Sequence, residues 1–353
     1  MKKDDLISLI ELGDYTEEEK QEMLDNRIEY RKQLSRIISK SKNDSKLDYC
    51  YYCERDISRF CNSHSIPRFC LKNIAVNGDV FYFNTIIKMP LMDEDKGINE
   101  SGTFKIICSD CDSKIFKDYE DPNNYESKPT LRMLAQIAMK NYLRIISKRL
   151  NEISLYDNLS PELFAPKQQV NKLDLEEFRL NFLKAKFINE KNKGDYYLFY
   201  YRKLEYVVPL AFQGSITLIS DFEGCLVNDI YYLDPKYKLQ DIHICVFPLS
   251  NSSIVMMFVD SEYKRLRKFR KQFNALLPAI NYIIFCYSED IFLYKGLDKK
   301  IINNDMLANA AKKSTESLVI NPSINPMLKM LENYNLKQYK TIPNLLLEEY
   351  RIM

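Results

Sequence analysis

The chain has 353 residues, of which 46% are hydrophobic and 28% charged; this balance is typical of a folded globular protein and excludes a disordered one. Its formal net charge of +2 excludes a uniformly basic protein, so a nucleic-acid partner would need a local basic face. No stretch approaches the 18 uninterrupted apolar residues of a membrane span, and residues 1–5 begin no apolar signal core. We therefore expect a cytoplasmic protein without membrane contact, long enough for two domains.

Residues 1–45 are predicted to form an N-terminal helical segment. Thr16 and Glu19 have the spacing of a capping box, in which each side chain accepts a hydrogen bond from the other residue's backbone N–H. The apolar residues that follow recur with a loose helical period, and the polar run at residues 39–45 is typical of a linker. A new domain is therefore expected to begin near residue 46.

Two C-x-x-C pairs, Cys50-Tyr-Tyr-Cys53 and Cys108-Ser-Asp-Cys111, lie within residues 46–128. The odd total of nine cysteines argues against a complete set of disulfides, and short cysteine spacings in a reducing compartment favour metal ligation. Two residues between thiolates allow one turn to direct both sulfurs at a single tetrahedral ion. The pairs therefore predict a structural Zn²⁺ in a treble-clef-like domain; the alternative is four unrelated buried thiols.

The segment between the pairs contains further cysteines and a strand signal. Cys61 and Cys70 could compete as ligands, but neither belongs to a C-x-x-C pair, which favours small buried core residues instead. The dipeptide Asn77-Gly78, followed by the aromatic and β-branched residues 79–87, predicts a β-hairpin that fills the long gap between the pairs.

A histidine lies between the pairs, in Cys61-Asn-Ser-His64-Ser-Ile-Pro67. The order C-x-x-C, His-x-Ile-Pro, C-x-x-C resembles the zinc-containing HNH nucleases of the His-Me finger (ββα-metal) group, over about residues 50–120 only. The resemblance implies that His64 is the general base that activates water. It also implies a catalytic Mg²⁺ or Mn²⁺, held by the residue preceding the histidine and by a side chain just after the final cysteine.

Carried over to this sequence, the second metal-holding side chain is Asp112, and Asn73 or Asn77 is the central asparagine that orients the histidine. Ser63 departs from the family, which usually has an acid or a histidine at this position. The other interpretation of His64 is structural, as a capping residue or a histidine that supports the zinc site.

Residues 129–193 are predicted to form connecting helices, one from Pro129-Thr130 to about Asn151 and one over Leu173 to Glu190. The first predicted helix carries cations at multiples of four residues, which places them on one stripe opposite the apolar face. These cations are Arg132, Lys140, Arg144 and Lys148. Such a stripe could bind phosphates, although a solvated helix face is the more common explanation.

Residues 194–320 are predicted to form a C-terminal α+β domain with a mainly antiparallel sheet, followed by a helical tail at residues 321–353. The predicted strands are Tyr196–Tyr201, Val207–Leu210, Ser215–Ile219, Cys225–Tyr232, Ile242–Phe247 and Ile254–Val259. Alternation around His243 predicts a half-buried strand position without a catalytic role. A basic helix follows the strands, and its cations join Arg68 and the stripe as candidate nucleic-acid contacts: Lys264, Arg267, Lys268 and Lys271.

The fold class expected from these elements is α+β: an N-terminal helical segment, a zinc treble-clef (ββα-like) domain, long helices, and a C-terminal antiparallel sheet with helices. The function expected from the resemblance is a metal-dependent nucleic-acid phosphodiester hydrolase, acting on DNA or RNA. Its C-terminal domain would sense a trigger or recruit a substrate, as in bacterial anti-phage systems. The alternatives are a non-catalytic zinc-stabilised module that binds nucleic acid or protein, and a regulatory partner whose C-terminal sheet binds another protein or a small signal.

Overall fold

The computed structural model describes residues 16–88, 92–232, 234, 236–269, 276–314 and 326–352. Over these residues the fold is of mixed α and β type, with long helices, an antiparallel sheet and a cysteine cluster, and the predicted fold class is confirmed. None of the described helices combines the length and the apolar character that crossing a membrane would require.

The helices lie mainly in the N-terminal half of the chain. They are α1 (Glu17–Asp25), α2 (Arg27–Asp44), α3 (Arg68–Ile74), α4 (Phe83–Ile87), α5 (Ser109–Ile115), α6 (Leu131–Leu159), α7 (Pro161–Lys191), α8 (Lys264–Phe269), α9 (Leu276–Tyr287), α10 (Lys299–Ile302), α11 (Asp305–Lys312) and α12 (Pro326–Asn333). The capping box predicted at α1 is present, because Thr16 accepts from the N–H of Glu19 and Glu19 accepts from that of Thr16.

The strands form two sheets. They are β1 (Ser63–His64), β2 (Asp79–Tyr82), β3 (Asp95–Gly97), β4 (Thr103–Phe104), β5 (Tyr196–Leu204), β6 (Leu210–Thr217), β7 (Asp241–Pro248), β8 (Ser253–Asp260) and β9 (Ile291–Leu293). Strands β1 and β4 pair with each other alone, and the other strands form one sheet in the order β3-β2-β9-β6-β7-β8-β5 with antiparallel neighbours.

The larger sheet crosses the boundaries that the sequence predicts at residues 128 and 194. Strand β2, from the segment between the cysteine pairs, pairs with β9 far along the chain through Phe81↔Leu293 and Tyr82↔Phe292. One continuous core contains buried apolar residues from the sheet, from the long helices and from residues 46–128, which we call the cysteine segment. The cysteine segment is therefore packed onto the C-terminal sheet and does not carry a separate core.

Helices α6 and α7 form a long antiparallel hairpin against this sheet. Helix α6 is capped at its N-terminus by Thr130, whose Oγ1 accepts a hydrogen bond from the N–H of Met133 at 3.3 Å. It extends to Leu159, beyond the predicted end near Asn151. Helix α7 begins earlier than predicted because Ser160 and Pro161 supply an extended cap and a proline in the first helical turn. Every residue of β7 and β8 is buried, so both faces of the central sheet are covered.

Two predicted strands differ from the structure. The tight turn at Asn77-Gly78 forms as predicted, with positive φ at both residues, but the strand after it ends at Tyr82 and residues 83–87 form helix α4. This helix is entirely buried, and its start is capped by Thr85 Oγ1, which accepts from the N–H of Tyr82. The predicted strand Cys225–Tyr232 is wrong: only an isolated bridge forms there, because Asn228 satisfies nearby backbone carbonyls with its side chain.

The sequence predicts two strands, Val207–Leu210 and Ser215–Ile219, with a turn at Gln213-Gly214 between them, and this interruption is also wrong. Both residues lie inside the continuous strand β6, where Gln213 is opposite Cys245 and Gly214 is opposite Ile244 of β7. Continuous pairing with the buried strand β7 satisfies the backbone groups that a turn would have left open.

His243 is fully buried on β7, where the sequence predicted a half-buried strand position. Its Nδ1 accepts from Asn141 Nδ2 at 3.1 Å, so its proton lies on Nε2, which faces the hydroxyl of Tyr142 at 3.3 Å. The ring also stacks on Phe258 with centroids 4.6 Å apart. Burial lowers the pKa of His243 from 6.5 to about 3, so the imidazole is neutral in the folded chain.

This depressed pKa makes folding stability depend on pH. Protonation favours the unfolded chain, so the contribution of His243 is complete above the unfolded pKa of 6.5 and is lost as pH falls from 6.5 towards 3. Between about pH 6.5 and about pH 5, the free energy of unfolding of wild type should fall by about 2 kcal/mol through His243. We expect His243→Gln to lack this decrease. Urea unfolding of both proteins at several pH values measures this difference, and equal pH slopes would contradict the buried neutral state.

Candidate metal centre and histidine site

Four cysteine sulfurs converge near the start of α5. The Sγ atoms of Cys50, Cys53, Cys108 and Cys111 all lie within 4.8 Å of one another and could hold a metal ion such as zinc. Cys50, Cys108 and Cys111 are buried, and Cys53 is half-buried. The two C-x-x-C pairs therefore do converge, as the sequence predicted, and Cys61 and Cys70 lie outside the cluster.

Local backbone geometry directs the first cysteine pair at the second. The turn from Cys50 closes through the N–H of Glu54, which donates to the carbonyl of Cys50 at 2.7 Å while Glu54 adopts a positive φ. The N–H of Cys108 donates to the sulfur of Cys50 at 3.3 Å. Burial acts to raise the pKa of Cys53, but the hydrogen bond from Arg55 Nε and contacts with the neighbouring sulfurs lower it to about 6. This sulfur is therefore suited to act as a thiolate ligand.

The ββα arrangement beside the cysteines brings two of the predicted site residues together. Strand β1 pairs with β4, so that Ser63 is opposite Phe104 and His64 is opposite Thr103. Helix α5 follows β4 and presents Asp112 to this ribbon, where Ser63 Oγ donates to Asp112 Oδ1 at 2.6 Å. The residue before the histidine and the residue after the final cysteine are thus in direct contact.

His64 is oriented by a segment that the sequence analysis missed. Its Nε2 donates to the carbonyl of Ile98 at 2.9 Å, and the following residue, Asn99, is held by Asn62 and Arg68. Asn73 instead donates to the carbonyl of Pro248 in the sheet. The structure therefore places the Asn73 amide against the sheet, whereas the prediction placed it beside His64. Asn99 lies in the short segment between β3 and β4, and no sequence motif singles it out.

Asn77, the other asparagine considered for this role, lies in the tight turn before β2 with a φ of 54°. Its place in the chain is explained by turn geometry, because asparagine tolerates a left-handed conformation better than most residues. The structure therefore gives the orienting contact to the carbonyl of Ile98 rather than to either predicted asparagine.

The environment of the half-buried His64 imidazole favours its neutral form. Burial lowers its pKa below 6.5, and the nearby charges of Lys140 and Arg68 act in the same direction. With the Nε2 proton directed at Ile98, Nδ1 is the acceptor atom of the ring, and no described residue forms a hydrogen bond with it. This geometry is compatible with a general base and equally with a structural histidine.

The ammonium of Lys140 occupies the space between Ser63 and Asp112. Lys140 lies on α6 with its side chain only 1% exposed, and its Nζ donates to Ser63 Oγ and to Asp112 Oδ1, both at 2.8 Å. It also pairs with Glu120 Oε1 at 3.1 Å and lies 3.9 Å from the ring centre of Phe116. The two groups that the resemblance assigns to a divalent ion are therefore already bound to a protein cation.

The two carboxylates respond differently to this shared cation. Burial acts to raise the pKa of Asp112, but the charge and hydrogen bond of Lys140, together with hydrogen bonds from Ser63 and Cys61, outweigh burial and lower it. For Glu120, burial and the like charge of Asp112 outweigh the attraction of Lys140, so its pKa is raised. Asp112 is thus the principal counter-charge of the buried ammonium.

The predicted basic stripe on α6 is balanced by acids. Arg132 pairs with Asp118 at 3.2 Å. Arg144 pairs with Asp290 at 2.8 Å, and Lys148 with Glu289 at 2.9 Å. Lys140 is buried, so the prediction that all four cations form a solvent-facing stripe is wrong. Asp118 follows α5, and Glu289 and Asp290 lie in the turn between α9 and β9.

The remaining candidate nucleic-acid contacts are scattered. Arg68 donates to the side chain of Asn99 at 2.6 Å, and Lys264 is exposed at the start of α8. Arg267 and Lys268 lie within α8, but their side chains are outside the described part of the chain, as is all of Lys271. Contact of these residues with nucleic acid stays a prediction.

Comparison of the chain with protein-family models, with curated proteins and with solved structures gives no match. The four-cysteine cluster is compatible with a zinc site, but it does not by itself identify an HNH nuclease.

We expect one zinc ion per chain and its loss in Cys108→Ser, because removing one buried thiolate leaves an incomplete tetrahedral site. Elemental analysis of purified protein, combined with thermal unfolding, measures both zinc content and stability. Cys61→Ser is the matched control, since Cys61 contacts Asp112 on α5 at 3.5 Å but lies outside the cluster. Loss of zinc from the Cys61 variant, or retention in the Cys108 variant, would contradict this ligand set.

Replacing Lys140 with Met should reduce the free energy of unfolding by about 3–5 kcal/mol, because it leaves the charge of Asp112 without its buried partner. Asp112→Asn in the same chain should recover part of this loss. Lys114→Met is the control on the exposed face of α5, with an expected cost below about 0.5 kcal/mol. Chemical denaturation of the four proteins tests the pair, and a Lys140 variant as stable as wild type would refute it.

Proposed function

We propose that this chain is a zinc-stabilised interaction module in which a His-Me finger-like site has exchanged its catalytic cation for the ammonium of Lys140. The observation that supports the proposal is the position of Lys140 Nζ, 2.8 Å from both Ser63 Oγ and Asp112 Oδ1. On this proposal the site holds the fold together and does not hydrolyse phosphodiesters.

The chemistry of metal-dependent hydrolysis explains why this position matters. Such a hydrolase needs a hard cation that contacts the phosphate and stabilises the charge of the transition state. The side chain of Lys140 is 1% exposed and its Nζ is enclosed by three oxygen partners, so it does not reach a substrate. Two unit positive charges about 4 Å apart repel by about 4 kcal/mol at an effective dielectric constant of 20, and a divalent ion would double this repulsion.

The zinc ion supplies the stability that this segment lacks from strands alone. Strands β1 and β4 contribute two residues each, too few for an independent sheet. A structural zinc site contributes about 10–16 kcal/mol of apparent folding free energy, more than the net stability of most domains. We therefore assign the ion held by Cys50, Cys53, Cys108 and Cys111 as structural Zn²⁺.

A protein partner fits the described surface better than a nucleic acid. The cations of α6 face Asp118, Asp290 and Glu289, which reduces the positive field that a phosphate backbone would require. Helix α7, by contrast, carries several exposed large apolar side chains. Exposed apolar surface of this kind marks interaction sites for proteins.

The second candidate is the nuclease, and the state of His64 favours it. A neutral imidazole fixed through Nε2, with Nδ1 as acceptor, has the form of a general base. For this candidate to act with Mg²⁺ or Mn²⁺, Lys140 would have to leave Asp112. The expected anti-phage context depends on the nuclease interpretation and is not part of the leading proposal.

Cleavage assays with plasmid DNA and RNA distinguish the two candidates. We expect zinc-loaded wild type to show no cleavage with Mg²⁺ or Mn²⁺ above the level of His64→Ala, because the cation position is filled. Fluorescence anisotropy with labelled DNA and RNA should also show no binding at micromolar concentrations. Metal-dependent cleavage by wild type that His64→Ala abolishes would establish the nuclease instead, and tight binding without cleavage would favour a nucleic-acid partner.

A further inference from the structure

Helix α7 carries an apolar surface that no described element covers. One side of the helix buries residues such as Phe182, Ala185 and Ile188 against the rest of the fold. The opposite side carries four large apolar side chains that are 39–63% exposed, which we call the α7 stripe: Leu173, Leu180, Leu183 and Phe187. Leu163 and Val170 extend the exposed apolar surface towards the N-terminus of the helix.

The spacing of the α7 stripe is that of a helix-pairing surface. Leu173, Leu180 and Phe187 follow one another at intervals of seven residues. A seven-residue apolar repeat keeps one seam facing a partner helix. From Leu173 to Phe187 the seam is about 21 Å long at 1.5 Å per residue. Single exposed apolar residues need no explanation, but a repeat on one helix face does.

The charges beside the α7 stripe are self-complementary in one direction only. Lys172 and Glu176 lie in the first half of this flank, where Glu176 is ion-paired with Arg179 at 2.9 Å, and Lys186 and Glu190 lie in the second half. If a second copy of α7 packs antiparallel about a two-fold axis near residue 181, Lys172 meets Glu190 and Glu176 meets Lys186. Parallel packing in register would leave the same flank of the two copies on opposite sides of the seam, so these four charges would not pair with one another.

Two of these charges are held in place by Tyr52. Lys186 Nζ donates to the carbonyl of Tyr52 at 2.7 Å, and the hydroxyl of Tyr52 donates to Glu190 Oε1 at 2.7 Å. Lys186 and Glu190 are therefore positioned on the flank before any partner arrives. The same two-fold axis brings the two copies of Leu180 together. Along the helix axis, Leu173 is then offset from Phe187 of the second copy by two residues, or about 3 Å.

We propose that the α7 stripe is the contact between two copies of this chain, packed antiparallel as an isologous dimer. The inference rests on the proposed function, since it names the partner of the proposed interaction module. The dimer and the non-catalytic module can fail separately, because sedimentation measures self-association and the cleavage assays measure catalysis.

Sedimentation velocity of the full-length, zinc-loaded chain tests the dimer. We expect a concentration-dependent dimer for wild type over about 1–100 μM, and at least about tenfold weaker association for Leu180→Glu. Ile28→Glu is the matched control, since Ile28 is 87% exposed on α2 and lies outside the α7 stripe. Melting temperature and zinc content should confirm that each variant is folded.

A charge exchange tests the antiparallel direction. Lys172→Glu and Glu190→Lys should each weaken the dimer several-fold, and the double variant should restore it. Tyr52→Phe is a control that removes the internal bond to Glu190 without changing its charge. Wild type that stays monomeric at every concentration, or a dimer unaffected by Leu180→Glu, would overturn the proposal. The α7 stripe would then be a candidate binding surface for a different protein. A double variant weaker than both single variants would overturn the antiparallel arrangement.

Discussion

The buried ammonium of Lys140 is the contact on which the arrangement of this site depends. A charge taken out of water is costly unless it is paired and hydrogen-bonded, and Lys140 meets this need with one hydroxyl and two carboxylates. These partners come from β1, from α5 and from the segment after α5, whereas Lys140 lies on α6. The side chain of Lys140 thus connects α6 to the ββα unit. The same contact fills the space where a divalent ion would be required for hydrolysis.

The cysteine cluster and the sheet fix the rest of the segment around this contact. Cys108 and Cys111 lie at the start of α5 and so determine where Asp112 stands relative to Ser63. On the other side, pairing of β2 with β9 joins the same segment to the C-terminal sheet. The result is one packed unit in which His64 is oriented by Ile98, and which carries the α6–α7 hairpin with its exposed apolar side chains.

The sequence predicted the parts of this site that depend on local spacing. The C-x-x-C pairs, the capping box at Thr16 and the tight turn at Asn77-Gly78 are all short-range patterns, and the structure contains each of them. The site of Lys140 could not be predicted in this way. Helical periodicity assigned it to a polar stripe, because its partners Asp112 and Glu120 are 28 and 20 residues distant in the chain. The pairing of β2 with β9 and the contact from Ile98 to His64 are likewise long-range and leave no local pattern.

Electron paramagnetic resonance of Mn²⁺ titrated into the zinc-loaded chain tests the central claim most directly. If the ammonium of Lys140 takes the cation position, Mn²⁺ should stay free in the presence of wild-type protein and of Asp112→Asn alike. One Mn²⁺ bound per wild-type chain, and lost in Asp112→Asn, would contradict the claim, because it would show that the divalent ion displaces the lysine from its carboxylate.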